Sequence, residues 1–221
     1  MTLIKPWLTA AAGLALTLAL AGCASLSPTP TPDYDALFGQ MVKASFRDQG
    51  IATVERLQQD AANAECSAAA GKPLPEARAQ AITAANLATV KLPADGKFIG
   101  DWREGERLAQ NGRGMTWTDA SAATSANGGN CYNCHQISPT EISFGTIGPS
   151  LLNYGKVRGV TDPASPVSSG IVQYTWTKLY NAKAYIACSD MPRFGHGKML
   201  DEAQLKHLMA LLLDPSSPVN R

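Results

Sequence analysis

Residues Cys131-Tyr132-Asn133-Cys134-His135 form a C-x-x-C-H run, the c-type haem attachment pattern. Two thiols at this spacing can add to the two vinyl groups on one porphyrin edge, and the imidazole that follows then lies under the iron. Zinc would require a second ligand pair at suitable spacing, and His196 and His207 do not form one. A thioredoxin-like redox motif would require surrounding βαβ alternation, and none is visible. The expected cofactor is therefore one covalently bound haem c, with Cys131 and Cys134 as its attachment points and His135 as the proximal iron ligand.

The second axial ligand must come from a methionine or histidine elsewhere, or the position stays open. Met209 falls on the apolar face of the last expected helix, where core packing is its simplest role. His207 lies almost opposite that face and is expected to face solvent. Met41 and Met115 precede the haem motif. Met191, beside Pro192 in a loop after Asp190, is the leading candidate, and Met199 and His196 are the alternatives. A soft thioether raises the reduction potential of the iron it binds.

The remaining cysteines are Cys23, Cys66 and Cys188. Lys5 is the only charge in residues 1–22 and is followed by an apolar run from Trp7 to Ala21, as in a secretory signal peptide. The run ends in Leu20-Ala21-Gly22-Cys23, which resembles a bacterial lipobox whose cysteine is acylated. Ordinary cleavage near Gly22 is the alternative. Either way an oxidising compartment is expected, where Cys66 and Cys188 most simply pair as a disulfide, two buried thiols being the other possibility. Such a bridge would close a loop of more than a hundred residues.

The chain has 221 residues, 45% hydrophobic and 17% charged, with 19 basic against 18 acidic side chains. This composition is globular. A formal net charge of +1 excludes the basic footprint of a nucleic-acid binder. The sequence divides into a signal segment (1–22), a Pro/Thr spacer (23–33), an Ala-rich helical extension (34–98) and a haem domain (99–221).

Pro75 is expected at the first position of a helix reaching Val90. The extension has too few large apolar side chains to form its own core, so it should pack on the haem domain. Asp101 with Glu104, and Asp201 with Gln204, read as capping boxes. The first opens a helix carrying Trp102, Gly105, Leu108 and Ala109. The second opens one carrying Leu205, Leu208, Met209 and Leu212. Gly105 would let these two helices cross closely. Ser169 is expected to cap a helix bearing Val172, Trp176 and Leu179. No segment alternates with period two, so the fold is expected to be all-α.

This order, with a helix, C-x-x-C-H, short helices, a methionine loop and a closing helix, resembles class I cytochromes c. In that class the carbonyl of the proline after the motif, here Pro149 in Gly148-Pro149, accepts the proximal histidine's Nδ1–H. A narrower resemblance rests on Gly129–His135, Gly145–Leu151, Tyr154–Gly159, Cys188–His196 and the closing Leu212–Asn220. Together these look like the SoxX family, the monohaem subunit of thiosulfate-oxidising SoxAX cytochromes. The resemblance spans roughly residues 60–220 and includes the paired cysteines, Cys66 and Cys188. It implies a periplasmic electron-transfer subunit of an L-cysteine S-thiosulfotransferase. Its partner SoxA, a second c-type cytochrome, would carry the catalytic haem and join thiosulfate to a cysteine of the SoxYZ carrier. It further implies that Cys131, Cys134, His135 and Met191 hold haem, that electrons pass to a periplasmic acceptor, and that no residue here is a catalytic acid, base or nucleophile. The apparent lipobox at Cys23 departs from the many family members that are soluble, and it adds membrane anchoring to the expectation. A stand-alone lipoprotein electron shuttle and a haem enzyme with an open iron site are the competing classes.

Overall fold

The computed structural model describes residues 31–221. The signal segment, Cys23 and the spacer as far as residue 30 lie outside the described residues. The chain divides into two compact units, one ending at Phe46 and the other running from Arg47 to Arg221. All regular structure among the described residues is helical, apart from an isolated bridge between Gln49 and Ala52. The all-α expectation holds.

In the first unit, helix α1 spans Tyr34–Ser45. The Asp33 carboxylate accepts the Ala36 N–H at 3.0 Å, an N-cap that satisfies one of the orphan donors of the first turn. None of the α1 residues is buried.

The second unit holds α2 (Ala61–Ala68), α3 (Glu76–Leu87), α4 (Trp102–Gln110), α5 (Ser169–Tyr180) and α6 (Glu202–Leu213). Short 3₁₀ turns and loops join them, and residues 47–98 belong to the same compact unit as 99–221. Pro75 is the N-cap of α3 and not its first helical residue, and the helix stops at Leu87, short of Val90. The early stop is made at the Asn86 main-chain carbonyl, which accepts from both the N–H of Thr89 at 3.1 Å and its hydroxyl at 2.7 Å. The Asn86 side-chain amide donates back to the Ile82 carbonyl at 2.8 Å. Asn86 also receives the buried Asn181 amide at 3.0 Å. Together with Trp176 Nε1 donating to the Lys91 carbonyl at 2.8 Å, this ties the extension to α5 and the turn after it. Each of these buried polar groups is thereby partnered, as burial requires.

Helices α4 and α6 cross at Gly105. A Cβ added there would lie 2.1 Å from the His207 carbonyl oxygen and 2.9 Å from the Leu211 Cβ. His207 is not turned to solvent as expected. It is half-buried, and its Nδ1 accepts the Asp101 N–H at 2.9 Å. A position opposite one apolar face is here covered by a second element, the start of α4. The capping box of Asp201 and Gln204 is present with both bonds at 2.9 Å. The one expected at Asp101 is only half made. Its carboxylate accepts from the Arg103 N–H, while Glu104 turns away to an ion pair with Arg107. The N-cap of α5 is Ser168, not Ser169. It makes no side-chain cap, and its hydroxyl donates to the Asp162 carbonyl.

Helix α6 is buried on more than the expected face, since Ala210, Leu211 and Leu213 are enclosed as well as Leu205, Leu208, Met209 and Leu212. The final turn, Pro218–Asn220, folds back over it. There the Asn220 amide donates to the Leu212 carbonyl at 3.1 Å and its Oδ1 accepts the Gly155 N–H at 2.9 Å.

Gly105→Ala weighs two opposing effects. Alanine in a helix interior is favoured over glycine by about 1 kcal/mol. Overpacking a backbone crossing costs about 1–3 kcal/mol, and more where nothing can give. At 2.1 Å from a main-chain oxygen the second effect should win, lowering the thermal midpoint by several degrees. A midpoint that holds or rises would show that the crossing relaxes without cost.

Candidate haem-attachment site

The Cys-x-x-Cys-His run is fixed from both sides by main-chain bonds. Asn130 precedes it in the left-handed region at φ 50° and turns the chain into the 3₁₀ turn Cys131–Asn133. The His135 N–H closes that turn on the Cys131 carbonyl at 2.9 Å. Residues 145–151 run alongside. Gly145 N–H donates to Tyr132 O at 2.8 Å, Gly148 N–H to Cys134 O at 2.8 Å and Leu151 N–H to Gln136 O at 2.7 Å. Two glycines allow this approach. A Cβ at Gly145 would meet the Asn133 carbonyl oxygen at 1.8 Å, and one at Gly148 would sit 2.2 Å from His135 Cε1 and 2.4 Å from Nδ1. The imidazole rests flat where only glycine leaves room.

His135 Nδ1 lies 2.7 Å from the Pro149 carbonyl oxygen. A carbonyl can only accept, so Nδ1 carries a proton, and in the neutral ring Nε2 then presents a lone pair. The bond orients the ring, as the partner of a metal-bound histidine does. Cys131 and Cys134 are both free of disulfide bonds. Burial, then the neighbouring Cys134, push the Cys131 thiol up to about 12. Apolar side chains follow the motif on the surface: Ile147 beside Gly148 is 79% exposed, and Ile142 is 96% exposed.

Two partnered-apart thiols, an imidazole with one nitrogen tied back, and a glycine floor suit a group attached at its edge and ligated from below. A chelated ion fits less well. Among the described residues no three His, Cys, Asp or Glu side chains converge as an ion-binding set. The donor set fits haem c.

Cys66 and Cys188 are joined as a disulfide, with Cα atoms 5.5 Å apart and 122 positions between them in sequence. This fastens α2 to the loop carrying Met191. A second link, absent from the sequence reading, stands on the other side of that methionine. Arg193, mostly buried, forms an ion pair with Asp60, the N-cap of α2. Partial burial works to raise the Asp60 carboxyl, but the Asn63 N–H and the Arg193 guanidinium outweigh it and hold the pKa below its ordinary value. No local pattern announces a pair 133 positions apart. Met191 and Met199 are both partly buried, pack on the core and line a cavity of about 660 Å³ with Asn63, Lys183 and Arg193. His196 is exposed. Met209 is fully buried in the core.

Reducing the Cys66–Cys188 bridge should cost stability. In the chain-entropy view a loop of this length contributes about 4–5 kcal/mol. Alkylation of the unfolded, unreduced protein should leave both residues unlabelled, and reduction should lower the denaturant midpoint sharply. Free thiols at both positions in protein from its native compartment would contradict the pairing.

No family model matches the chain. It is similar to a protein of Aquifex aeolicus (strain VF5) described as an uncharacterized lipoprotein, with 38% identity over 138 residues. The similarity covers 61% of this chain and 59% of the relative's length.

Proposed function

We propose that this chain is a monohaem c-type cytochrome that carries electrons, built on a class I cytochrome c-like domain. The observation that carries the reading is the His135 imidazole, set against Gly148 with Nδ1–H donated to Pro149 and placed directly after two unpaired thiols. When bound, haem supplies reversible one-electron chemistry. The Cys131 and Cys134 thiols would hold it through two thioethers, each made by addition across one vinyl group with no loss of atoms. His135 would bind the iron through Nε2, and the Pro149 carbonyl keeps the proton on Nδ1. Met191, with Met199 as the alternative, would hold the iron through its thioether. The two links on either side of Met191, Cys66–Cys188 and Asp60–Arg193, restrain the loop so that the thioether is presented in one place. No side chain here acts as a catalytic acid, base or nucleophile.

The SoxX-like segments narrow the proposal to the electron-accepting subunit of a SoxAX-type complex. Thiosulfate would be joined oxidatively to a SoxYZ cysteine at the partner SoxA, and this chain would pass the electrons to a periplasmic acceptor. The Leu20–Cys23 lipobox, together with the relative's description as a lipoprotein, supports acylation at Cys23 and a membrane-held, periplasmic protein. Purification of the native protein tests partner and function together. Recovery in a stable complex with a second c-type cytochrome that turns over thiosulfate is expected. A protein recovered alone, with its haem redox-active, would favour the stand-alone lipoprotein shuttle.

A further inference from the structure

Helix α1 carries an apolar face that its own unit does not cover. At 100° per residue, Tyr34, Leu37, Phe38 and Met41 fall within about 100° of one another, while Asp35, Gln40 and Lys43 lie elsewhere on the helix. These four apolar side chains are 69%, 51%, 62% and 49% exposed. An apolar stripe at this spacing normally faces a core, yet no residue of α1 is buried.

We infer that this face lies on the bilayer surface, as an interfacial helix beside the lipid anchor. The inference rests on the reading of Cys23 as acylated. The ten residues 24–33 separate Cys23 from the start of α1. Even fully extended, the eleven steps from Cys23 to Tyr34 reach no more than about 40 Å, so acylation at Cys23 would hold α1 within that distance of the membrane. A short tether of this kind raises the effective concentration of the second contact and makes a weak one sufficient. The charges also favour an apolar mode of contact. With Asp33 and Asp35 near the helix start and Lys43 in its last turn, α1 has no basic cluster for anionic headgroups to attract. Contact must then come from the stripe itself, in which Tyr34 and Phe38 supply aromatic rings of the kind favoured at the headgroup level. A 12-residue helix is marginal alone in water, and a surface that buries its apolar face would hold it.

A photo-crosslinking residue identifies what covers this face in living cells. Phe38→p-benzoylphenylalanine should yield, on irradiation, a peptide carrying a phospholipid adduct. Gln40→p-benzoylphenylalanine, on the polar side, should give about ten-fold less. Mass spectrometry of the N-terminal peptide in the same sample reports whether Cys23 is acylated. Acylated Cys23 with a Phe38 adduct to a second copy, to another protein or to nothing overturns this inference and leaves the anchor reading standing. Equal lipid adducts at positions 38 and 40 also overturn it, because the contact would not be one-sided. A Cys23 without acyl groups overturns both.

Discussion

Met191→Ala is expected to keep its covalent haem and lose the methionine-to-iron charge-transfer band. In the proposed site attachment would depend on Cys131 and Cys134, which the substitution leaves untouched, so haem staining after denaturation should be unchanged. The thioether is a soft ligand that favours ferrous iron, and its removal should lower the reduction potential. Thiosulfate turnover by the reconstituted complex should fall with it, because electrons leaving the partner would meet a poorer acceptor. Met199→Ala and His196→Ala should both retain the band. Met199 is the sharper control, since it is as well placed against the core as Met191 and lines the same cavity. Loss of the band in Met199→Ala, with retention in Met191→Ala, would move the ligand assignment to Met199. An unchanged ferric spectrum in all three would point to an open iron position and a haem enzyme.

Gly148→Ala should be the single methyl group that strikes the His135 ring of the proposed haem-attachment site most directly. The added carbon would stand 2.2 Å from His135 Cε1, 2.4 Å from Nδ1 and 2.7 Å from Nε2. The ring must move to clear it, and swinging away breaks the 2.7 Å bond to the Pro149 carbonyl. Low-spin character should be weakened or lost while the thioethers remain, and stability should fall by about 1–3 kcal/mol or more as for other overpacked sites. Gly170→Ala is the matched control. It lies inside α5 with nothing within 4 Å of an added Cβ, so helix propensity should make it stabilising by up to about 1 kcal/mol. A Gly148→Ala protein with an unaltered spectrum would show that the imidazole is not held where the geometry puts it.

What could be read from the sequence was local or chemically specific. The capping box at Asp201 and Gln204 is written in four consecutive residues, and it forms. Gly105 stands out as a bare position on an apolar helix face, and α4 and α6 do cross there. The Cys66–Cys188 pairing followed from counting cysteines in an oxidising setting. What was not legible depended on neighbours from distant parts of the chain. His207 was expected in solvent because a helical wheel does not know that the start of α4 will arrive over it. Leu211 is enclosed at the α4 crossing beside Gly105, a neighbour the α6 sequence does not announce, and the Asp60–Arg193 pair joins residues 133 positions apart. The N-cap of α5 lies one residue before Ser169 because a 3₁₀ turn, Pro166–Ser168, runs directly into the helix. In the candidate site, the motif was visible residue by residue, but the glycine floor at Gly148 and the main-chain ladder to residues 145–151 emerge only in three dimensions.

The central claim is that Cys131 and Cys134 carry haem. Mass spectrometry of the protein isolated from cells competent in cytochrome c maturation tests it most directly. The peptide containing residues 131–135 should carry the added mass of one haem, and it should keep that mass through acid extraction. Cys131→Ser with Cys134→Ser should lose it entirely. A native peptide with two free thiols, or with Cys131 and Cys134 bonded to each other, would contradict the assignment and the electron-transfer function built on it.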